Sequence, residues 1–309
     1  MVQKQLKYPV PVKAARVVHQ GKTRNTYATK YANLRAVEAS DRLSTHNVVH
    51  ESEIAGKGEV LTALTIYWII NFLQKEGIPT HLIEFGKKIY DYLPGTRADY
   101  PSNFHYRTII IKVLQMIPFE IIFRLFLDGS LYRDYYSKGL ADPYGVNLPP
   151  GLPRMYRFEK LLFTPTDKSE NDDPVRADLV ERLHPKAVSL CRRVYEIGNN
   201  SLQEKGLVAV DSKFECGLDE DKQTVMGDEI LTLDSSRFTP EGGIVLGQEP
   251  EWLDKEEARR EAMRIWAGGK KKPLRFSSAF ETKLSSKYRD IGAMVLGESL
   301  TSFQKNHLD

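Results

Sequence analysis

An α+β fold in two lobes is what this sequence predicts, on three observations. A length of 309 residues corresponds to roughly two domains with ample core. Strand-like alternation and helical periodicity are interleaved along the chain, with no internal repeat or low-complexity segment. The first hundred residues mix strand-like segments with one helix, whereas two consecutive helical patterns open beyond residue 174. The expected division is a mainly β lobe at 1–115, carrying a basic loop, and an α+β lobe at 116–309, carrying a charged hairpin and C-terminal helices.

In chain order, residues 17–27 read as a strand, a tight turn Gly21-Lys22-Thr23-Arg24 and a second strand, and 34–39 alternate as a third. Residues 62–76 have helical periodicity, stopped by Gly77 with Pro79 beyond. Residues 108–115 and 119–126 are strand-like, with Pro118 suited to the turn between them. The stretch 138–174 is rich in Pro, Gly, Asn and Asp and reads as a long loop crossing a site. One helix runs through Val180; Pro185 starts another that ends near Gly206. A strand at 207–217, a polar turn at 217–222 and a returning strand at 224–231 follow. Asp254 and Glu257 have capping-box spacing ahead of a helix with Ala262, Ile265 and Trp266, and 285–297 form a last helix.

Composition narrows the function classes. Hydrophobic and charged contents of 41% and 28% are ordinary for a soluble enzyme, and a net charge of +3 is too mild to argue for nucleic acid. The basic run at 270–272 follows two glycines and reads as a solvated loop. Two cysteines, Cys191 and Cys216, do not make a disulfide framework, which points to a reducing cytoplasm. Residues 1–9 lack the apolar core of a signal peptide, and the apolar-rich stretch at 63–73 is too short to span a bilayer. The expectation is a cytoplasmic chain with no membrane and no nucleic-acid partner, as a monomer or small homo-oligomer.

The chemistry concentrates in the hairpin. Asp211, Lys213 and Glu215 alternate behind the apolar run 207–210, so a strand puts all three on one face, about 7 Å apart. Unpaired charges in a buried strand cost several kcal/mol, so they need partners or a ligand. Asp228 or Glu229 on the returning strand could meet Glu215. Facing carboxylates repel unless a cation lies between them, and Mg²⁺ is held by one or two carboxylates plus substrate phosphates. A salt-bridged hairpin with Lys213 neutralising its neighbours is the other reading, and these residues alone leave both open.

Other motifs are weaker. The Gly21–Arg24 turn lacks Walker spacing and is either a phosphate cradle or an exposed turn. Ser40-Asp41-Arg42-Leu43-Ser44 is either an anion-recognising cluster or a turn cap. Arg124 lies in an apolar run and needs an anionic partner, Asp128 or a ligand phosphate, with Ser130 as a second donor. Asp234-Ser235-Ser236-Arg237 repeats that theme. His50, His81 and His105 lack metal-ligand spacing and read as surface or core residues.

Together, and in this order, Gly21-Lys22-x-Arg24, Ser40-Asp-Arg-Leu-Ser44, Gly56-Lys57-Gly58, Pro118-Phe-Glu120 with Arg124 and Gly129-Ser130, Phe163-Thr-Pro-Thr166-x-Lys168, Asp211-x-Lys213-x-Glu215, and Asp228-Glu229 with Asp234-Ser-Ser-Arg237 resemble the SAICAR synthetase family. The resemblance runs from about residue 16 past 240, and the length is similar to the family's longer, yeast-like form. It implies a two-lobed, ATP-grasp-like α+β fold and a ligase using ATP and Mg²⁺. The carboxylate of the ribonucleotide CAIR would be phosphorylated, and L-aspartate would displace phosphate to give SAICAR. By position, Lys22 and Arg24 match the loop over the ATP phosphates, and Glu215 and Asp228 the metal-ligating acids of the ATP site. Asp211 and Lys213 match catalytic residues beside the reacting carboxylate. Arg124, Ser130 and Arg237 match the grip on the CAIR phosphate, with Ser44 and Lys168 as further substrate contacts. The chain departs from the family pattern at Asn25 and Asn47, where relatives carry acids, at Asn171-Asp172-Asp173, where they show a His-Asp pair, and at Thr239. The alternatives are a divergent amide ligase for a related azole nucleotide or another amine, and a nucleotide-binding regulatory protein without turnover.

Overall fold

A computed structural model describes residues 14–309 except 141 and 170. The first strands are β1 (Val17–Gln20), β2 (Arg24–Ala28), β3 (Leu34–Ala39), β4 (Arg42–Thr45) and β5 (Val48–Glu53), followed by helix α1 (Lys57–Trp68), which runs on through Ile69–Leu73. Next come β6 (Leu82–Phe85), β7 (Thr108–Lys112), β8 (Gln115–Met116), β9 (Phe119–Phe126), β10 (Arg157–Phe163) and β11 (Thr166–Asp167). Helices α2 (Ala177–Leu183) and α3 (Pro185–Gln203) lead into β12 (Leu207–Leu218), β13 (Thr224–Gly227) and β14 (Ser236–Pro240). Helices α4 (Glu256–Trp266), α5 (Ser278–Leu296) and α6 (Leu300–Phe303) close the chain.

The strands form two antiparallel sheets and a two-stranded ribbon, β4–β5. One sheet has the order β1-β2-β3-β7-β6, and the other runs β10-β9-β12-β13, with β11 on β9 and β8 and β14 on β12. The 79–81 segment stitches them together: the His81 amide donates to Met226 of β13, and the Lys112 amide of β7 donates to His81. Long β12 is the spine. It pairs with β9 over Asp211–Phe214, with β14 at its start and with β13 at its end. Helix α3 covers its far face with Val188, Cys191, Val194 and Tyr195, and α1 lies in the same core, where the Trp68 indole donates to Leu231 at 3.1 Å.

Several elements differ from expectation for physical reasons. Helix α1 starts five residues earlier than its periodicity suggests, because Asp41 accepts the Gly58 amide at 2.9 Å and Lys57 is buried against Asp234 at 2.9 Å. The 138–174 stretch is not all loop: β10 lies within it, its charged Arg157, Glu159 and Lys160 exposed along the edge of the sheet. The returning strand ends at Gly227, since Asp228 and Leu231 take left-handed φ of 54° and 47°. No capping box forms at α4. Asp254 is buried and accepts the Glu256 and Phe238 amides, while Glu257 pairs with Lys283 and Lys287. The last long helix starts at Ser278, capped by Ser277. Residues 1–9, read above for a signal peptide, lie outside the described residues. Cys191 and Cys216 are buried free thiols.

Candidate functional site

The two sheets and the β4–β5 ribbon enclose a cleft of about 1310 Å³. Lys22, Arg24, Ser44, Arg124, Ser130, Asp211, Lys213, Glu215, Asp228 and Arg237 all line it, and Lys168 reaches it through Glu215.

Its floor is a buried ionic cluster made by strand register. Arg124 of β9 and Arg237 of β14 each stand opposite Asp211 of β12. Both guanidinium groups bond its carboxylate, Arg237 at 2.5 and 3.0 Å. Arg124 also donates to Thr164 at 2.9 Å and to Ser130 at 3.0 Å. Asp128 binds Arg237 at 2.6 Å and Arg154 at 2.5 Å, so it is not the acid that neutralises Arg124. Burial opposes ionisation of Asp211, yet Arg237 and Arg124 outweigh it and hold its pKa below the ordinary value. For Asp128 the same balance, led by Arg237, brings the pKa down to about 2. Arg124 and Arg237 thus lie in place at the end of the cleft that also holds Gly129 and Ser130, which suits an incoming phosphate.

Farther along β12, Lys213 lies 2.6 Å from Glu120 of β9 and 3.9 Å from Glu215. Burial works against its ammonium, but the two carboxylates win and raise its pKa. Glu215 is lowered on the same logic, by Lys213 and Lys168 against burial. Across the hairpin Glu215 faces Gly227, which places Asp228 one step farther on. Arg24 binds both Asp228 and Glu229, at 2.9 Å for the latter. Both readings of the hairpin therefore have a physical basis: the acids are salt-bridged here, and they are hard oxygen donors beside a basic loop. Among the described residues no cluster of three or more His, Cys, Asp or Glu could hold a metal. The donor set fits Mg²⁺ only where nucleotide phosphates complete the shell and displace Lys168 and Arg24.

The basic turn is held from below. Buried Arg42 donates to the carbonyls of Gly21, Lys22 and Arg24 at 2.9–3.1 Å, and Ser40 donates to that of Thr23 at 2.7 Å. The Ser40–Ser44 cluster thus serves largely as a turn cap, with Ser44 alone of its hydroxyls at the cleft wall. The departures resolve differently. Asn25 bonds Arg42 and Glu38, its opposite on β3, at 3.0 and 2.9 Å, so the carboxylate comes from the neighbouring strand. Asn47 accepts from Lys22 at 2.7 Å and donates to Asp172 at 3.2 Å, so two departures touch each other across the cleft mouth. Thr239 is buried in β14. Burial, then Arg24, depresses the pKa of His81 to about 3, making it a neutral cleft wall. Sequence offered Glu229 as an alternative to Asp228 and Asp128 as a partner for Arg124, whereas Glu120 and the Lys57–Asp234 pair stood in motifs with no role assigned to them. Glu120 is signalled only as an acid flanking the apolar run that holds Arg124.

The profile of the family described as SAICAR synthetase matches residues 17–275. A phosphoribosylaminoimidazole-succinocarboxamide synthase from Saccharomyces cerevisiae is 33% identical over 256 residues, covering 79% of this chain and 82% of that one. One from Pichia angusta is 30% identical over 298 residues, covering 92% and 95%. The solved SAICAR synthase of Saccharomyces cerevisiae complexed with SAICAR superposes with a TM-score of 0.82 at 26% identity, covering 96% of this chain and 99% of that one.

Proposed function

The chain belongs to the SAICAR synthetase family and is an ATP-dependent ligase of purine biosynthesis, and on that premise we propose how its residues divide the work. The reaction joins L-aspartate to the carboxylate of CAIR. A carboxylate oxygen attacks the γ-phosphorus of ATP and ADP leaves; the amine then attacks the acyl carbon, phosphate leaves, and the amine gives up a proton.

Lys22 and Arg24 lie over the triphosphate, on a turn that Arg42 keeps in shape. Glu215 and Asp228 would hold Mg²⁺, which when bound neutralises phosphate charge. Lys213 is the charge beside the reacting carboxylate: it stays protonated at neutral pH and stabilises negative charge on the acyl phosphate. Arg124, Ser130 and Arg237 grip the phosphate of CAIR. Asp211 acts through those arginines, as a positioning residue that aims both of them. Buried free thiols, and no helix among the described residues long and apolar enough to cross a membrane, are compatible with a reducing cytoplasm.

The observation that carries this reading is that Lys213, the acids Glu215 and Asp228, and the basic turn line one cleft with the Arg124–Arg237 pair. The test is ADP release from Mg²⁺-ATP, with CAIR and L-aspartate supplied together and each omitted in turn. Release that needs both, with SAICAR identified by mass, supports it. Release with another carboxylate–amine pair but not this one would move the chain to a divergent ligase.

A further inference from the structure

We propose that Cys191, Cys216 and Met226 form a binding site for one soft, thiophilic cation with a filled d shell, such as Cu⁺ or Hg²⁺. The site lies behind the cleft and is independent of the reaction proposed above.

The chain's only two cysteines, 25 positions apart, meet in the core with their Sγ atoms 3.3 Å apart. The Sδ of Met226 closes a triangle, 3.7 Å from Cys191 and 3.6 Å from Cys216. All three side chains are fully buried. Among the described residues, neither thiol has a hydrogen-bond partner other than these sulfurs.

Regular structure fixes each corner of the triangle. Cys216 of β12 stands opposite Met226 of β13 in the antiparallel ladder. The Cys216 carbonyl accepts from the Ile117 amide; the Met226 amide donates to Pro79, and its carbonyl accepts from His81, each at 2.9 Å. Cys191 comes from within the 19-residue helix α3. Successive strand side chains alternate, so Cys216 points into the core under α3 while Glu215 lines the cleft. Three rigid elements therefore aim three sulfurs at one point, and an ion there would tie α3 to the hairpin that carries Glu215.

The donors select the occupant. Thiolate and thioether sulfur favour Cu⁺ and other soft cations over Mg²⁺, which takes oxygen. With metal–sulfur bonds of about 2.3 Å, an ion at the centre of three ligands holds them about 4 Å apart. Small side-chain rotations open the triangle to that size. Tetrahedral Zn²⁺ needs a fourth donor, and among the described residues no His, Asp or Glu joins the two cysteines. Net charge is costly among apolar neighbours, so each cation replaces as many thiol protons as it carries charges, one for Cu⁺ and two for Hg²⁺. The protons pass to solvent, metal–sulfur bonds form, and no electron is transferred.

Anaerobic titration with Cu⁺ against a chromophoric chelator tests the site, run to equilibrium over hours because buried sulfurs are reached through local opening. Wild type should take up one Cu⁺ per chain, with X-ray absorption showing only sulfur in the ligand shell, at about 2.3 Å. Cys191→Ala should lose this binding. Met226→Leu, which conserves volume and keeps both thiols, should weaken it about tenfold or more. Far-ultraviolet dichroism checks that each variant is folded, and Met226→Leu keeps the test decisive if Cys191→Ala is not. Equal Cu⁺ affinity in wild type and Met226→Leu overturns the site, as does nitrogen or oxygen in the ligand shell. So does the loss of two titratable thiols from wild type once the metal is stripped under denaturant, the mark of a disulfide formed instead.

Discussion

Arg124 and Asp211 stand directly opposite each other in the β9–β12 ladder, and their charged groups meet in the buried floor of the cleft. Arg237 reaches the same carboxylate from β14, so one acid holds two cations. Removing one partner of a buried ionic cluster costs about 3–5 kcal/mol, because the charges left behind stay desolvated. Asp211→Ala should therefore lower the urea midpoint sharply and, in whatever fraction remains folded, raise KM for CAIR more than KM for ATP. A variant as stable as wild type would falsify the anchoring role.

Asp128 makes a prediction about acid. Its folded-state pKa of about 2 lies below the unfolded value, so its stabilisation is complete above about pH 4 and is lost as pH falls toward 2. A shift of this size is on the order of 2 kcal/mol. Unfolding free energy measured from pH 6 to pH 2 should fall less steeply in Asp128→Asn than in wild type. Parallel curves for the two proteins would mean that the carboxylate is not perturbed.

Lys213 is expected to separate chemistry from folding. It is flanked by Glu120 and Glu215 on a strand paired on both sides, and Met can fill the volume of its stem. Lys213→Met should leave the far-ultraviolet dichroism unchanged and reduce kcat about 10²–10³-fold, the usual loss when one charge-stabilising donor is removed. Its raised pKa also means that no lysine ionisation should enter the pH–rate profile below pH about 10. An alkaline limb near neutrality that vanishes in the variant would argue for a proton-transfer role instead.

How much of this was legible in the sequence follows from the range of each interaction. The face shared by Asp211, Lys213 and Glu215 could be read because a strand's period of two is local, and the Gly21–Arg24 turn because glycine and charge cluster within four residues. The anchors were hidden because their partners are distant: Glu120 meets Lys213 across 93 positions, and Asp128 meets Arg237 across 109. Strand β10 was masked by surrounding Pro and Gly and by the charged side chains along its exposed edge. The end of β13 was misplaced because an apolar Ile230-Leu231 pair looks like continuing strand, whereas both residues are buried in irregular backbone beyond Asp228.

Gly58 offers a test of why Gly56-Lys57-Gly58 is built as it is. Gly58 begins α1 where the helix presses against β3, and a Cβ there would collide with the backbone carbonyl of Ala39. The Gly58 amide also donates to Asp41, which Arg107 binds at 2.7 Å, so the helix end cannot slide away without breaking that pair. Backbone has to move rather than a flexible side chain, and overpacking of this kind costs about 1–3 kcal/mol. Lys57 would move with it, and Lys57 is the fully buried partner of Asp234, itself held by Tyr288 at 2.7 Å. Gly58→Ala should therefore lose stability by chemical denaturation and lose turnover together, whereas Gly77→Ala, where a Cβ meets nothing within 4 Å, should show only the modest cost of its left-handed φ and full activity. Equal effects of the two substitutions would show that the approach of α1 to β3 is not what requires the glycine.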